Sequence, residues 1–218
     1  MKPCSAMPFL LLFTIIPATL VQAQPVTDSA TRYTIDSSNS ILRVYVGRAG
    51  ILARLGHNHV IHTRSLAGEV VVAENLAESR ARISFPVDSL VVDAADERER
   101  AGADFDSQPG ESAIEGTRNN MLGVSVLTAS SFPVISVSVT PLSVADAEWQ
   151  LAIELELKGS TFNLEIPARV VIDATSVVVD ASFTLEHEEI GLSPFSAIGG
   201  SLRVAEAIDF DIHVEASR

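Results

Sequence analysis

Hydrophobic and polar residues alternate along most of this chain. In Glu148–Leu157, apolar side chains occupy every second position and polar side chains fill most positions between them. A period of two places successive side chains on opposite faces of a β-strand, so this segment predicts a strand with one apolar face. Residues 158–161 (Lys-Gly-Ser-Thr) predict a turn, and the alternation resumes at Phe162, Leu164 and Ile166. Together these segments predict a β-hairpin.

The same pattern recurs on both sides of this hairpin. Further strands are predicted at residues 41–46, 59–63, 68–73, 81–87, 134–140, 170–172, 177–179, 181–185 and 208–214. Many short strands separated by turn signals are typical of an antiparallel barrel or sandwich. Two stretches interrupt the series. Polar residues 93–110 predict a mobile loop, and residues 111–122 predict one short helix with Ser112 as its cap.

The first residues have the pattern of a secretory signal peptide. Lys2 precedes an apolar run at residues 8–21, and Val21-Gln22-Ala23 fits a cleavage site. The run is shorter than the ~20 residues that a membrane-spanning helix needs. We therefore expect a signal peptide at residues 1–23, a single mature domain at residues 24–218 that does not span the membrane, and a periplasmic or secreted location.

The composition narrows the classes of partner. Cys4, the only cysteine, lies in the predicted signal peptide, so the mature domain would contain no disulfide. Removal of Lys2 changes the formal net charge from −13 to −14. A chain this acidic lacks the basic surface that nucleic-acid binding requires, and anionic lipid headgroups would repel it. Any contact with lipid would therefore use apolar surface.

Several weak motifs occur in the order found in one family. They are residues 33–36 (Tyr-Thr-Ile-Asp), 118–122 (Arg-Asn-Asn-Met-Leu), 132–133 (Phe-Pro) and 190–192 (Ile-Gly-Leu). In this order the chain resembles the YceI-like family from about residue 33 to about residue 216. The resemblance implies an all-β fold, an extended eight-stranded antiparallel β-barrel that is lipocalin-like. It also implies a bound polyisoprenoid, quinone, or fatty acid or amide, and a homodimer, although no interface is readable in the sequence.

A barrel of about eight strands has an interior that side chains fill or that one slim ligand occupies. A single-chain lipid suits such a bore, since each buried CH₂ contributes ~0.8 kcal/mol. The register of the strands leaves open whether the interior is filled or hollow. The candidate lumen residues are Phe85, Trp149, Leu151, Ile153, Phe162, Leu164, Phe183 and Phe210.

Histidines are concentrated in one short stretch. His57 and His59 would share one side of a strand and His62 would lie on the other. With His187, the first two are candidates to line the barrel mouth and contact a ligand head. An alternative is a divalent-metal site formed by His57, His59 and His187.

The chain has no recognisable nucleophile, phosphate or dinucleotide motif, so we expect a binding protein rather than an enzyme. A third alternative is a secreted structural or stress-related domain whose partner is another protein.

Overall fold

The strands form one antiparallel sheet that closes on itself. The computed structural model describes residues 30–218, without the side chains of residues 197 and 198, so the predicted signal peptide lies outside the described residues. The strands are β1 (Thr31–Ile35), β2 (Ile41–Ala49), β3 (His59–Thr63), β4 (Ala67–Val72), β5 (Arg80–Pro86), β6 (Val91–Val92), β7 (Val134–Ala145), β8 (Glu148–Leu157), β9 (Ser160–Ile172), β10 (Ser176–Glu186), β11 (Ser196–Ala197) and β12 (Leu202–Ser217). The helices are α1 (Ala95–Ala101) and α2 (Glu111–Leu122).

The sheet closes into a barrel whose wall has eight strand positions. There are more strands than positions because pairs of short strands lie end to end in the same position. β1 and β2 follow one another along the same side of β12, and they pair on their other side with β4 and β3. In the same way β5 pairs with β4 and β6 pairs with β3. The strands β7, β8, β9, β10 and β12 complete the circuit. The prediction of an eight-stranded antiparallel barrel is confirmed.

Pairing along the barrel wall is uneven. β10 pairs with β12 over eleven residues, and β8 pairs with β9 over ten. The ladder between β9 and β10 has only four pairs, which lie beside the turn that joins the two strands. Beyond Arg169 and Asp180, within the described residues, the two strands run on without a ladder between them. We call this part of the wall the β9–β10 gap.

The segment after β10 folds back toward the β9–β10 gap. Gly191 follows a 3-10 helix at His187–Ile190 and has a left-handed backbone (φ 65°). A Cβ atom on Gly191 would overlap the ring of Phe162, a residue of β9. The glycine therefore permits a close approach of backbone to ring that no other residue would allow.

One helix was predicted, and residues 30–218 contain two α-helices. α2 has the predicted bounds, but the prediction of Ser112 as its cap is wrong, because Gly110 occupies the N-cap and makes no side-chain cap. Residues 93–110 are not a mobile loop. They contain α1, in which Glu97 and Arg98 are buried. Charged residues become buried here because each of them has an oppositely charged partner.

The partners of α1 are on the outer wall of the barrel. Nε of Arg43, on β2, donates to Oε2 of Glu97 at 2.6 Å, and Nη1 of Arg43 donates to Asp211 at 3.2 Å. His62, on β3, pairs with Arg43 and lies on the other side from His59, as predicted. Within residues 30–218 its buried Nδ1 has no hydrogen-bond partner. Burial lowers the pKa of His62. Within residues 30–218, no helix has the length and apolarity needed to cross a bilayer.

Candidate functional site

The interior of the barrel is hollow. A cavity of about 530 Å³ runs through it and is lined mostly by aliphatic and aromatic side chains. On β8, the five alternate residues from Trp149 to Leu157 all line it. These five positions span eight residue steps, or ~27 Å at ~3.4 Å per residue. The cavity is therefore long as well as apolar, and its volume is in the range of small-molecule sites.

Most of the candidate lumen residues lie on the wall of this cavity. Seven of the eight line the cavity: Phe85, Trp149, Leu151, Ile153, Leu164, Phe183 and Phe210. The rings of Phe183 and Phe210 stack across β10 and β12, with centroids 5.1 Å apart and 10° between planes. Phe162 does not line the cavity. It is partly buried against the core and packs under Gly191, beside the β9–β10 gap.

Other parts of the chain also supply lining residues that were not singled out in the sequence. β2 contributes Leu42, Val44 and Val46, which its alternating pattern could have indicated. α2 contributes Thr117, Asn120 and Met121, and residues after it add Val126 and Leu127. No pattern in residues 111–129 indicated that this segment reaches the lumen, because the contact is made only when the helix packs on the barrel.

Six of the polar lining residues lie at one end of the cavity. His59 pairs with Val46, Val46 pairs with Ile208, and Ile208 pairs with Leu185, so these four residues form one row across the wall. His187 follows Leu185 by two residues and begins the 3-10 helix just beyond the end of β10. Arg48, His57, His59, His187, Ser193 and Arg203 line the cavity here, and we call this the histidine end.

Trp149 marks the opposite end. It lies near the start of β8, and its indole nitrogen donates to the carbonyl of Asp146 in the turn between β7 and β8.

A buried carboxylate fixes the ring of His59. Nδ1 of His59 is 2.7 Å from Oδ2 of Asp93, whose side chain is fully buried. Oδ1 of Asp93 accepts from the backbone N–H of Val60 at 3.0 Å and from Nη1 of Arg98. Burial raises the pKa of Asp93, but the hydrogen bonds from His59, Val60 and Arg98 outweigh it and leave the pKa lowered. Asp93 is therefore an ionised acceptor.

Arg98 connects this carboxylate to the backbone next to His59. Its Nη1 also donates to the carbonyl of Asn58 at 2.8 Å, and its Nε donates to the carbonyl of Ser107 at 2.9 Å. The side chain of Asn58 in turn accepts from the backbone N–H of Arg48 at 3.0 Å. Sequence reasoning missed Asp93 and Arg98, because both lie in the polar stretch that predicted a mobile loop. α1 therefore holds in place the residues around His59.

His187 and His57 complete the histidine end. Nδ1 of His187 is 2.7 Å from the carbonyl oxygen of Glu206, and the residue is buried. The ring of His57 lies edge-on to that of His59, with centroids 6.4 Å apart. All three predicted mouth histidines thus line one cavity.

These histidines do not form a metal site. Among residues 30–218, no three His, Cys, Asp or Glu side chains are grouped closely enough to hold a metal ion. The carboxylate beside His59 uses its oxygens on His59, Val60 and Arg98 instead. The metal alternative therefore has no ligand set in the described part of the chain.

Comparison with known proteins identifies the family. The model of the YceI-like domain matches residues 33–216. The crystal structure of BcnA from Burkholderia cenocepacia is similar to this chain with a TM-score of 0.60 and 11% identity, covering 84% of this chain and 99% of BcnA. The YceI protein of Campylobacter jejuni has a TM-score of 0.50 and 12% identity, covering 72% of this chain and 84% of its own. Among curated proteins, no significant match was found. The chain belongs to the YceI-like family.

Proposed function

We propose that this protein is a non-enzymatic lipid-binding protein that holds one long apolar chain in the barrel. The observation that carries the proposal is the hollow, apolar cavity of about 530 Å³. A polyisoprenoid, a quinone with its isoprenoid tail, or a fatty acid or amide has the shape of this cavity. The family likeness supports the same class of ligand.

Burial of the chain provides the affinity. About twelve buried CH₂ groups contribute ~10 kcal/mol at ~0.8 kcal/mol each. Association costs about 4–15 kcal/mol in lost freedom of motion, so a chain much shorter than this would not stay bound. The length of the cavity along β8 allows a chain of the required length to be buried. The barrel would thus shield an insoluble molecule from water without any chemical step.

We further propose that the protein acts after export, in the periplasm or outside the cell. The predicted signal peptide and the single cysteine within it support this location. The acidic composition is consistent with a soluble carrier, because the chain would not adhere to anionic headgroups through its charge.

Native mass spectrometry of the protein purified from its own exported fraction tests the proposal. We expect a bound mass of several hundred daltons that extracts into organic solvent. Ala181 lies on the inner face of β10 and lines the cavity, and Ala181→Trp would fill the lumen at that level. Ser182 is exposed on the other face, so Ser182→Trp is the matched control.

Loss of lipid in Ala181→Trp, with lipid retained in Ser182→Trp, would support the proposal. A protein that carries no lipid and takes up no prenyl or acyl probe would contradict it.

A further inference from the structure

The chemistry of the histidine end limits which polar head can lie there. Nδ1 of His59 faces the ionised carboxylate of Asp93, and Nδ1 of His187 faces a backbone carbonyl. Each of these partners only accepts hydrogen bonds, so Nδ1 must carry the proton in both rings. In a neutral imidazole the other nitrogen, Nε2, is then an acceptor.

Both Nε2 atoms are available to a ligand. His59 and His187 line the cavity, and no hydrogen bond within residues 30–218 uses either Nε2 atom. Neither atom is buried without a partner, as Nδ1 of His62 is. His59 is on β3 and His187 follows β10, so β2 and β12 lie between them in the barrel wall. The histidine end therefore offers two acceptor nitrogens to whatever the cavity holds.

Three arginines lie near these histidines, and each donates a hydrogen bond. Arg98 pairs with Asp93. Nη1 of Arg48 donates to the carbonyl of Gly56 at 2.7 Å, and Nη1 of Arg203 donates to Glu206 at 3.0 Å. Both arginines are exposed, whereas His187 is buried. Arg48 bonds a neutral carbonyl and keeps its positive charge at this end, so the preference that we infer comes from the hydrogen-bonding capacity of Nε2 of His59 and not from charge.

We propose that the histidine end is a head-group site for a hydrogen-bond donor, namely a primary amide, an alcohol or a quinol. This inference rests on the proposed lipid-binding function and specifies the class of ligand. An N–H or O–H donor satisfies Nε2 of His59. An ester or a quinone presents only acceptors, so Nε2 of His59 loses a donor when such a head lies against it, and binding energy is lost relative to a donor head. Asp93 is a positioning residue that sets which nitrogen of His59 accepts.

Three probes with the same C18 tail test the head preference. They are the primary amide, the alcohol and the methyl ester, titrated at pH 8 into delipidated protein. We expect the amide and the alcohol to bind about tenfold more tightly than the ester, a difference of about 1.4 kcal/mol. Equal affinity for all three would overturn this inference but leave the proposed function standing. Failure of all three to bind would overturn the proposed function, and the inference with it.

Asp93→Asn gives a sharper test, because it should reverse the preference. Oδ1 of asparagine can keep the bonds from Val60 and Arg98, and its NH₂ group then replaces Oδ2 and donates to Nδ1 of His59. The proton of His59 moves to Nε2, which becomes a donor. The ester should gain affinity relative to the amide. Asparagine tolerates the positive φ of this position (55°), so the backbone is preserved.

The barrel contains its own control for this substitution. Nδ1 of His213 is 2.6 Å from Asp180 on the outer face, in the same kind of pair but away from the cavity. Asp180→Asn should leave the ratio of amide to ester affinity unchanged. ¹⁵N NMR of the imidazole nitrogens should show the change of tautomer at His59 in Asp93→Asn.

His59→Phe covers the case in which Asp93→Asn fails to fold. It removes the acceptor and keeps a ring, so the ratio of amide to ester affinity should fall severalfold while the ester still binds. An unchanged ratio in His59→Phe would overturn the assignment of this residue.

Discussion

Arg43 and Glu97 form an ion pair between the outer wall of the barrel and α1, with Nε of Arg43 2.6 Å from Oε2 of Glu97. The side chain of Glu97 is 2% exposed and that of Arg43 is 10% exposed. Burial raises the pKa of Glu97, but the hydrogen bond and charge of Arg43 outweigh this and leave its pKa lowered. The pair fastens α1 to β2, and α1 carries the arginine that holds Asp93.

Glu97→Gln should destabilise the fold strongly. Removal of one partner from a buried ion pair typically costs about 3–5 kcal/mol. Arg43 keeps the half-exposed Asp211 as a partner, so we expect a loss near the lower end of that range. The free energy of unfolding in urea measures this loss. The control is Glu69→Gln, which breaks an exposed pair with Arg32 and should cost about 0–1 kcal/mol. Similar losses in the two variants would contradict the importance of burial at Glu97.

Asp173 should make stability depend on pH in the acid range. Backbone N–H groups of Thr175 and Ser176 donate to its carboxylate and lower its pKa from 3.8 to about 2. Because the folded-state pKa is below the unfolded value, the carboxylate stabilises the fold above pH 3.8, and this contribution is lost as the pH falls through about 2. The difference in Tm between wild type and Asp173→Asn should be constant from pH 7 to 5. It should shrink below pH 4, and a difference that persists unchanged at pH 2 would count against this carboxylate.

Trp149 should report how the lipid is oriented. It is the only tryptophan, it lines the cavity, and it lies at the end opposite the histidines. If the head lies beside His59, the tip of the tail lies near Trp149. A fatty amide brominated near its tail end should therefore quench Trp149 fluorescence more than one brominated near its head. Stronger quenching by the head-proximal bromine would mean that the ligand binds in the reverse direction.

Gly191→Ala should accelerate release of the ligand. Alanine at a positive φ costs about 1–2 kcal/mol, and here its Cβ would also overlap the ring of Phe162. Gly199 has a similar φ (60°), but a Cβ there meets no atom within 4 Å. Gly199→Ala is thus matched for backbone strain and should release ligand as wild type does. Stopped-flow transfer of a fluorescent lipid to vesicles measures both rates.

A second substitution identifies the cause of that effect. Phe162→Ala removes the ring that the new Cβ would strike, so the double variant Phe162→Ala, Gly191→Ala should release ligand more slowly than Gly191→Ala. Equal rates in Gly191→Ala and Gly199→Ala would mean that contact with Phe162 has no part in retention.

Much of the barrel could be predicted because the two faces of a strand follow from the alternation of neighbouring residues in the sequence. The alternation in Glu148–Leu157 specifies which side chains share a face, and all five apolar positions of that face line the cavity. The bounds of α2 were also predicted, since the stretch lacks the alternation of its neighbours. Periodicity does not determine whether the enclosed space is filled, because that depends on the size of residues contributed by every strand together.

The parts that were missed depend on contacts between distant segments. Phe162 has the register of a lumen residue, since it pairs with Leu155, but Gly191 from another part of the chain packs on its ring and Phe162 does not line the cavity. Asp93 and Arg98 appeared as members of a charged loop. Their burial depends on His59 and Asn58, which are more than thirty residues away along the chain. No local pattern could have indicated these pairs.

The short ladder between β9 and β10 makes this the position in the barrel wall with the fewest strand pairs. Neighbouring wall strands are joined by as many as eleven pairs, but this seam has four, all beside the turn that Asp173 stabilises. Local opening requires least free energy where the fewest backbone hydrogen bonds must break. Amide hydrogens of β10 next to the gap should therefore exchange with solvent sooner than those of β8. A long chain could then pass sideways through the wall while the rest of the sheet stays paired.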